Sequence, residues 1–258
     1  MISLSTDSAR CIISAADGGR IASLRVGEQR VLYEGPNADP MQWGSYPMAP
    51  WAGRVRDGQF HMCDVKHQLA INMAPHAIHG TVFTQPWHTI DFTPRSVSMT
   101  CDLGPMWPFG GQAHQHFELG EDSLSCTLAV TAADLAMPAE LGWHPWFTKP
   151  VTDQLGFSAM YERDETGIPS GRIVDPKPRP WDDCFTGPTV PLRLHYPTCT
   201  VTVSSDCDHW IVFDEPSHAT CVEPQSGPPD RFNFDQQILQ PGQTLTRTML
   251  IEWQLVPM

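Results

Sequence analysis

Apolar residues recur at every second position in several segments of this chain. The clearest are LSCTLAVT (124–131), TCTVTVSS (198–205) and TLTRTMLIEWQLV (244–256), in which Arg247 is the exception. Successive side chains of a β-strand point to opposite faces, so a period of two indicates a strand with one buried face. These segments therefore predict strands of a sheet that packs on a core.

Helices of any length are disfavoured. No segment keeps an apolar period of 3.6 residues over three turns, and 25 prolines in 258 residues would interrupt most helices. The opening 10–34 instead indicates a meander of three strands with turns at DGG and GE. We therefore predict an all-β fold, a large antiparallel β-sandwich or barrel-like double sheet. Since neither an internal repeat nor a flexible linker interrupts the chain, we expect one domain over 1–258.

Charge and composition exclude several classes of partner. The formal net charge of −13 disfavours nucleic acid and anionic membranes, because both would repel the surface. The N-terminus lacks the pattern of a secretory signal, and no apolar run approaches the ~20 residues of a membrane span. Eight cysteines occur singly, without a C-x-x-C pair. We therefore expect reduced cysteines and a cytoplasmic protein.

The most unusual connection is the segment 168–191, which is rich in proline and polar residues. Loops of this length are uncommon in compact domains and often cover a site. Its prolines and tryptophan favour an ordered cover over a disordered one. The sequence therefore predicts a long ordered loop here.

Two residues are candidates for proton transfer. The sequence contains no phosphate-binding glycine motif and no G-x-S-x-G nucleophile motif. His144 lies in LGWHPWF, where a packed structural ring is the simpler interpretation of the residue taken alone. Glu223 lies in CVEPQSGPPD after an apolar run, and apolar neighbours would raise its pKa towards that of a general base.

Three further polar residues are weak candidates when each is taken alone. Arg54 follows a Pro- and Trp-rich connection and is typical of a surface ion pair. His79 precedes Gly80, which permits close approach of the backbone, and Asp182 is typical of a turn cap.

The run GGQAHQHFE is faintly similar to the metal-binding run of a cupin barrel. His114 and His116 would share one face of a strand, with Glu118 close behind. Glu118 follows too closely for the ligand spacing of a cupin, and no later histidine motif completes the set. We therefore predict no metal and no cofactor.

Taken in order, these segments resemble the aldose 1-epimerase (galactose mutarotase-like) family. The similarity runs through GSYPMAPWAGRVRDGQF, HAIHG, MWPFGGQAHQHFEL, LGWHPWF, WDDCF and CVEPQSGPPDRFN, over nearly the whole chain. The resemblance implies a β-supersandwich that interconverts the α- and β-anomers of an aldose without a cofactor. It further implies that His144 is the general acid and Glu223 the general base. Arg54, His79 and Asp182 match positions that hold sugar hydroxyls or the ring oxygen.

The chain departs from the galactose-type members of that family. Gly53 stands where asparagine is more usual, and VEPQ replaces LETQ, so galactose is not indicated as the preferred sugar. Two alternatives stay open. One is a hexose-6-phosphate 1-epimerase, which needs positive charge at the pocket rim from Arg56, Arg179 or Arg231. The other is a non-catalytic carbohydrate-binding domain on the same fold. In each case the partner is a small sugar, and the protein is expected to be a monomer or a homodimer.

Overall fold

The computed structural model describes residues 1–35 and 39–256, and nearly all of its regular structure is β. In chain order, the first twelve strands are β1 (Ile2–Ser5), β2 (Ala9–Ser14), β3 (Arg20–Val26), β4 (Gln29–Arg30), β5 (Ser45–Met48), β6 (Arg54–Val55), β7 (Gln59–Met62), β8 (Val65–Gln68), β9 (Ala77–Ile78), β10 (His88–Phe92), β11 (Ser96–Asp102) and β12 (Gln112–Leu119). The others are β13 (Ser123–Thr131), β14 (Met137–Pro138), β15 (Gly142–Thr148), β16 (Thr152–Gln154), β17 (Phe157–Arg163), β18 (Pro169–Val174), β19 (Asp182–Pro188), β20 (Leu192–His195), β21 (Cys199–Ser205), β22 (His209–Phe213), β23 (Ala219–Gln225), β24 (Ile238–Leu239) and β25 (Thr244–Leu255). Three single-turn 3-10 helices cover Arg56–Gly58, Val82–Thr84 and Arg231–Asn233.

Within the described ranges, the strands form two large antiparallel sheets and three short two-stranded ones. The larger sheet has eleven strands in the order β1-β2-β3-β5-β15-β23-β22-β19-β17-β18, with β4 paired to β3. The smaller sheet has eight strands in the order β10-β11-β12-β13-β25-β21-β20-β16. This confirms the predicted all-β fold. No helix in the described part of the chain is long and apolar enough to cross a membrane.

The main hydrophobic core draws residues from both large sheets. The burial pattern of β13 alternates at every residue, with Leu124, Cys126, Leu128 and Val130 buried, as its sequence predicts. Each large apolar side chain buried in this way contributes about 1.5–3 kcal/mol to folding. Other buried members of the core include Trp143, Phe147, Phe185, Trp210 and Val222 from the larger sheet and Phe117, Met249 and Ile251 from the smaller one.

Two predictions about local structure need correction. The segment 168–191 is not mainly a loop, because β18 pairs with β17, and β19 pairs with both β17 and β22. Sheet pairing satisfies backbone groups that a long loop against the protein would leave without partners. The third strand of the opening meander is also shorter than expected, since β4 covers Gln29–Arg30 alone.

Candidate active site

The site lies on the face of the larger sheet that is turned away from the main core. A second, smaller apolar cluster forms on this face and includes Tyr46, Met48, Phe83, Trp146 and Cys221. Along β15 and β23 the side chains alternate between the two clusters. At these two strands the larger sheet is therefore buried on both faces, with the core on one side and the site on the other.

His144 and Glu223 meet on this face because their strands are neighbours. In the antiparallel pairing of β15 with β23, Gly142 lies opposite Gln225 and Trp146 opposite Cys221. Residues two apart on one strand share a face, so His144 and Glu223 are brought side by side between these two pairs. The His144 Nε2 atom lies 3.3 Å from the Glu223 Oε1 atom.

Aromatic rings fix the plane of the His144 imidazole. It stacks on Tyr46 at a centroid distance of 4.8 Å and on Trp146 at 5.2 Å, so the ring is held between them. The side chain of Glu223 is equally enclosed, and Gln225 donates an amide hydrogen bond of 3.4 Å to the Glu223 Oε2 atom. The two tryptophans beside His144 separate, because Trp143 points into the main core and Trp146 into the site.

Burial shifts the pKa values of His144 and Glu223 in opposite directions. Loss of solvation disfavours the charged form of each group. It lowers the pKa of His144 to about 3 and raises the pKa of Glu223 well above its usual range, where the negative charge of Asp182 raises it further. The lowered pKa keeps the His144 imidazole uncharged near neutral pH in the empty site. The raised pKa of Glu223 likewise favours its protonated, uncharged carboxyl group.

Arg54 and Asp182 face each other beside this pair. The Arg54 Nη2 atom lies 3.6 Å from the Asp182 Oδ2 atom, and both side chains are about one quarter exposed. Arg54 belongs to β6, whereas Asp182 is the first residue of β19. The guanidinium donors and the carboxylate acceptor together suit the hydroxyl groups of a sugar, each of which both donates and accepts hydrogen bonds.

His79 completes the set from a tight turn after β9. Its backbone is left-handed (φ 64°), its N–H donates to the Gly53 carbonyl oxygen at 3.0 Å, and its ring meets that of His144 edge-on at 5.2 Å. Burial lowers the pKa of His79 well below its usual range, and His144 lowers it further. His79 therefore faces the site as a neutral imidazole.

Gly80 continues this turn, and we expect Gly80→Ala to be strongly destabilising. Gly80 has φ +78°, and a Cβ atom there would overlap the carbonyl group of Ala49, to which the backbone is bridged. Gly242 is a matched control, since it has φ +77° with open space around it. Gly242→Ala should cost about 1 kcal/mol for the left-handed backbone alone, and Gly80→Ala about 2 kcal/mol more. Urea unfolding of both variants measures the difference, and equal losses would contradict the expected overlap.

All five residues predicted for the site line one cavity of about 260 Å³. Its walls also include residues outside this predicted set of five: Met41, Gln42, Tyr46, Trp146, Tyr161, Arg163, Cys184, Phe213 and Gln225. Gln225 follows Glu223 by two residues, so it shares the face of Glu223 once β23 is known to be a strand. Tyr161 and Arg163 reach the cavity through the pairing of β17 with β19, which no local signal reveals.

The three arginines that could hold the phosphate group of a sugar phosphate lie outside this cavity. Arg56, Arg179 and Arg231 form ion pairs with Asp164, Asp153 and Asp235 respectively. None of the three is among the residues that line the cavity described above.

The histidines considered for a metal site lie on the outer side of the smaller sheet. His116 and Glu118 are exposed and His114 is half-buried on β12. The His116 Nδ1 atom is 2.8 Å from the Ser98 hydroxyl oxygen. In the described part of the chain these side chains do not belong to a group of three or more potential metal ligands.

A family model decides the identity of the chain. The model of the family described as aldose 1-epimerase matches residues 1–252. The chain belongs to the aldose 1-epimerase family. The resemblance stated from the sequence is thereby confirmed, while the roles of individual residues stay predictions. A search of curated protein sequences finds no significant match.

Solved structures of low sequence identity share the fold. A putative aldose 1-epimerase from Escherichia coli K12 is 21% identical, with 98% of each chain covered and a TM-score of 0.87. A galactose mutarotase-like protein from Clostridium acetobutylicum is 16% identical, with 98% of this chain and 95% of that chain covered and a TM-score of 0.87. A galactose 1-epimerase from Lactobacillus acidophilus NCFM is 16% identical, with 98% and 93% covered and a TM-score of 0.83. These likenesses confirm the galactose mutarotase-like β-sandwich.

Proposed function

We propose that this protein is a mutarotase that interconverts the α- and β-anomers of an aldose, with Glu223 as general base and His144 as general acid. One observation carries the proposal. A carboxyl group and an imidazole lie 3.3 Å apart on the floor of a cavity that also presents Arg54 and Asp182. Membership of the aldose 1-epimerase family supports the same reaction.

The reaction needs two proton transfers at neighbouring oxygens of the sugar. Glu223 removes the proton of the C1 hydroxyl while His144 gives a proton to the ring oxygen O5, and the C1–O5 bond breaks to leave a free aldehyde. Rotation about C1–C2 presents the other face of the aldehyde, and reclosure with reversed roles yields the other anomer. Each positioned group contributes about 10²- to 10⁴-fold to the rate.

The number of protons on the His144–Glu223 pair fits this cycle. The pair holds one proton, either on Glu223 or on His144, and these two arrangements differ by transfer across their contact. Catalysis starts with the proton on His144, so sugar binding must favour that arrangement. The sugar hydroxyls and the Arg54 guanidinium supply the stabilisation that a Glu223 carboxylate needs when water is excluded.

The size and charge of the cavity favour a single neutral sugar. Its volume of about 260 Å³ lies just below the range of about 300–1,000 Å³ that is usual for ligand sites. Its two arginines already face carboxylates, since Arg54 pairs with Asp182 and Arg163 with Asp183. A phosphate group would have to compete with these carboxylates, so we propose an unphosphorylated aldose. We also propose that 1–258 is one domain, because residues of both large sheets share the main core.

The pH dependence of the reaction offers a test of the pair. The value of kcat/KM reports the free enzyme, and the active pair carries one proton. Because the pKa of His144 is lowered to about 3, a second proton joins the pair only near that pH. Burial also raises the pKa of the cavity residue Asp182, so the test is made in the Asp182→Asn variant. We expect kcat/KM of this variant to stay flat as the pH falls from 6.5 to about 4, while circular dichroism confirms that the protein stays folded. A decline in kcat/KM that begins near the usual pKa of a carboxyl group would contradict the proposal that the active pair carries one proton.

Saturation-transfer NMR on a panel of aldoses and hexose 6-phosphates tests the function itself. We expect faster anomer exchange for at least one unphosphorylated aldose, with each 6-phosphate slower than its parent sugar. Sugar binding without exchange above the spontaneous rate would indicate a carbohydrate-binding domain and would overturn the proposal.

A further inference from the structure

Cys221 adds a third metal-binding atom to the proposed acid–base pair. In the part of the chain that the structure describes, His144, Cys221 and Glu223 form one group whose ligand atoms all lie within 4.8 Å of one another, and all three side chains are buried. Cys221 precedes Glu223 by two residues on β23, so both side chains project from the same face of the strand. The proposed reaction has no use for this thiol.

From this geometry we propose that the site binds one thiophilic divalent cation, such as Zn²⁺, through His144 Nε2, Cys221 Sγ and a Glu223 carboxylate oxygen, and that the bound cation blocks the site. The blocking of catalysis rests on the proposed function, whereas the cation site itself does not. Thiolate and imidazole ligands select Zn²⁺ and similar ions over Mg²⁺ and Ca²⁺, which prefer oxygen.

The distances suit a tetrahedral cation. Ligands at about 2.0–2.3 Å from a tetrahedral Zn²⁺ lie about 3.3–3.7 Å from each other. The 3.3 Å separation of His144 Nε2 and Glu223 Oε1 already has this value. The Cys221 sulfur lies within 4.8 Å of the other two ligand atoms, so it would need to approach them by about 1 Å to reach the tetrahedral spacing.

The surroundings also favour a cation that enters through the cavity. His144 and Glu223 line the cavity, so the fourth coordination position faces its open space and is available to water. The charge of Asp182 acts on both Cys221 and Glu223, since it raises the pKa of each. This negative charge offsets the repulsion of a cation by Arg54. On binding, the thiol proton and the single proton of the His144–Glu223 pair pass to solvent, because thiolate, carboxylate and neutral imidazole are the ligand forms.

Bound in this way, the cation would hold both atoms that the proposed reaction uses for proton transfer. His144 Nε2 would have no lone pair left to accept a proton, and a Glu223 carboxylate oxygen would be tied to the metal. The cation and the sugar therefore compete for the site, and a chelator should restore activity.

Direct binding to the sugar-free protein tests the site. Cys63 is the exposed cysteine among the eight, so all variants carry Cys63→Ser to remove adventitious binding. Calorimetry should show one Zn²⁺ per chain, and Cd²⁺ should give a thiolate charge-transfer absorption. Loss of a supporting group outside the ligand sphere weakens metal binding by about 10- to 100-fold, so loss of a ligand in Cys221→Ser should weaken it at least about a hundredfold.

A second buried thiol provides the matched control. Cys184 lines the same cavity but is not a member of the three-residue group. Cys184→Ser should bind Zn²⁺ as its parent does, whereas Glu223→Gln, which loses a different ligand, should bind weakly. Equal affinity in Cys221→Ser and its parent, or no Zn²⁺ binding in the parent, would overturn the proposal.

Inhibition of anomer exchange by Zn²⁺ is measured separately from Zn²⁺ binding. Zn²⁺ should slow anomer exchange in competition with the sugar, and Cys221→Ser should resist this inhibition relative to its own uninhibited rate. Tight binding without inhibition would overturn the blocking part of the proposal. A protein that binds Zn²⁺ but turns over no sugar would instead contradict the proposed function, so the two failures are distinguishable.

Discussion

Glu223→Gln should slow anomer exchange by at least about a hundredfold, because the amide cannot take the proton of the C1 hydroxyl. Glutamine has nearly the shape of glutamic acid and keeps a hydrogen-bonding group beside Gln225. The loss should therefore fall on kcat more than on KM. Saturation-transfer NMR at several sugar concentrations separates the two parameters.

Glu140→Gln is the matched control for this substitution. Glu140 is as deeply buried as Glu223, and burial likewise raises its pKa well above the usual range. It does not line the cavity. If both variants are folded and equally slow, a general effect of burying an amide explains the loss, and Glu223 is not the base.

His144→Ala should cause a loss of similar size, at least about a hundredfold, because it removes the proton donor to O5. It also removes the ring stacked between Tyr46 and Trp146. The rate of anomer exchange is to be compared with that of His76→Ala. His76 is equally buried but binds the backbone N–H of Asp57 outside the cavity. Near-normal exchange in a folded His144→Ala variant would remove the assignment.

The double variant tests whether the two residues act together. Groups that act as a unit in catalysis show strongly non-additive losses. Glu223→Gln combined with His144→Ala should therefore be little slower than either single variant. Losses that multiply would mean that the two groups contribute independently.

The fold was predictable where a strand has one buried face. The segments at β13, β21 and β25 carry the period of two, and the structure shows the corresponding strands. In β23, by contrast, all seven residues are buried. A strand covered on both faces has no polar side to reveal its period, so the strand that carries Glu223 was located by its resemblance to a family motif.

The five residues of the candidate site could be predicted from the sequence, but their burial and the other residues around them could not. All five predicted residues line the cavity, and their identities came from motif order. The burial that lowers the pKa of His144 could not be read from its neighbours in the sequence, because one of the rings that enclose it is Tyr46, nearly a hundred residues away in the chain. Tyr161 and Arg163 were missed since their place depends on strand register, which is fixed by tertiary pairing.

The alternation along β23 has a consequence for altering this protein by mutation. Val222 packs into the main core, whereas Cys221, Glu223 and Gln225 face the site. Substrate preference and thermal tolerance can therefore be engineered at different positions of the same seven-residue strand. Inserting or deleting one residue there would exchange the two sets and destroy both properties together.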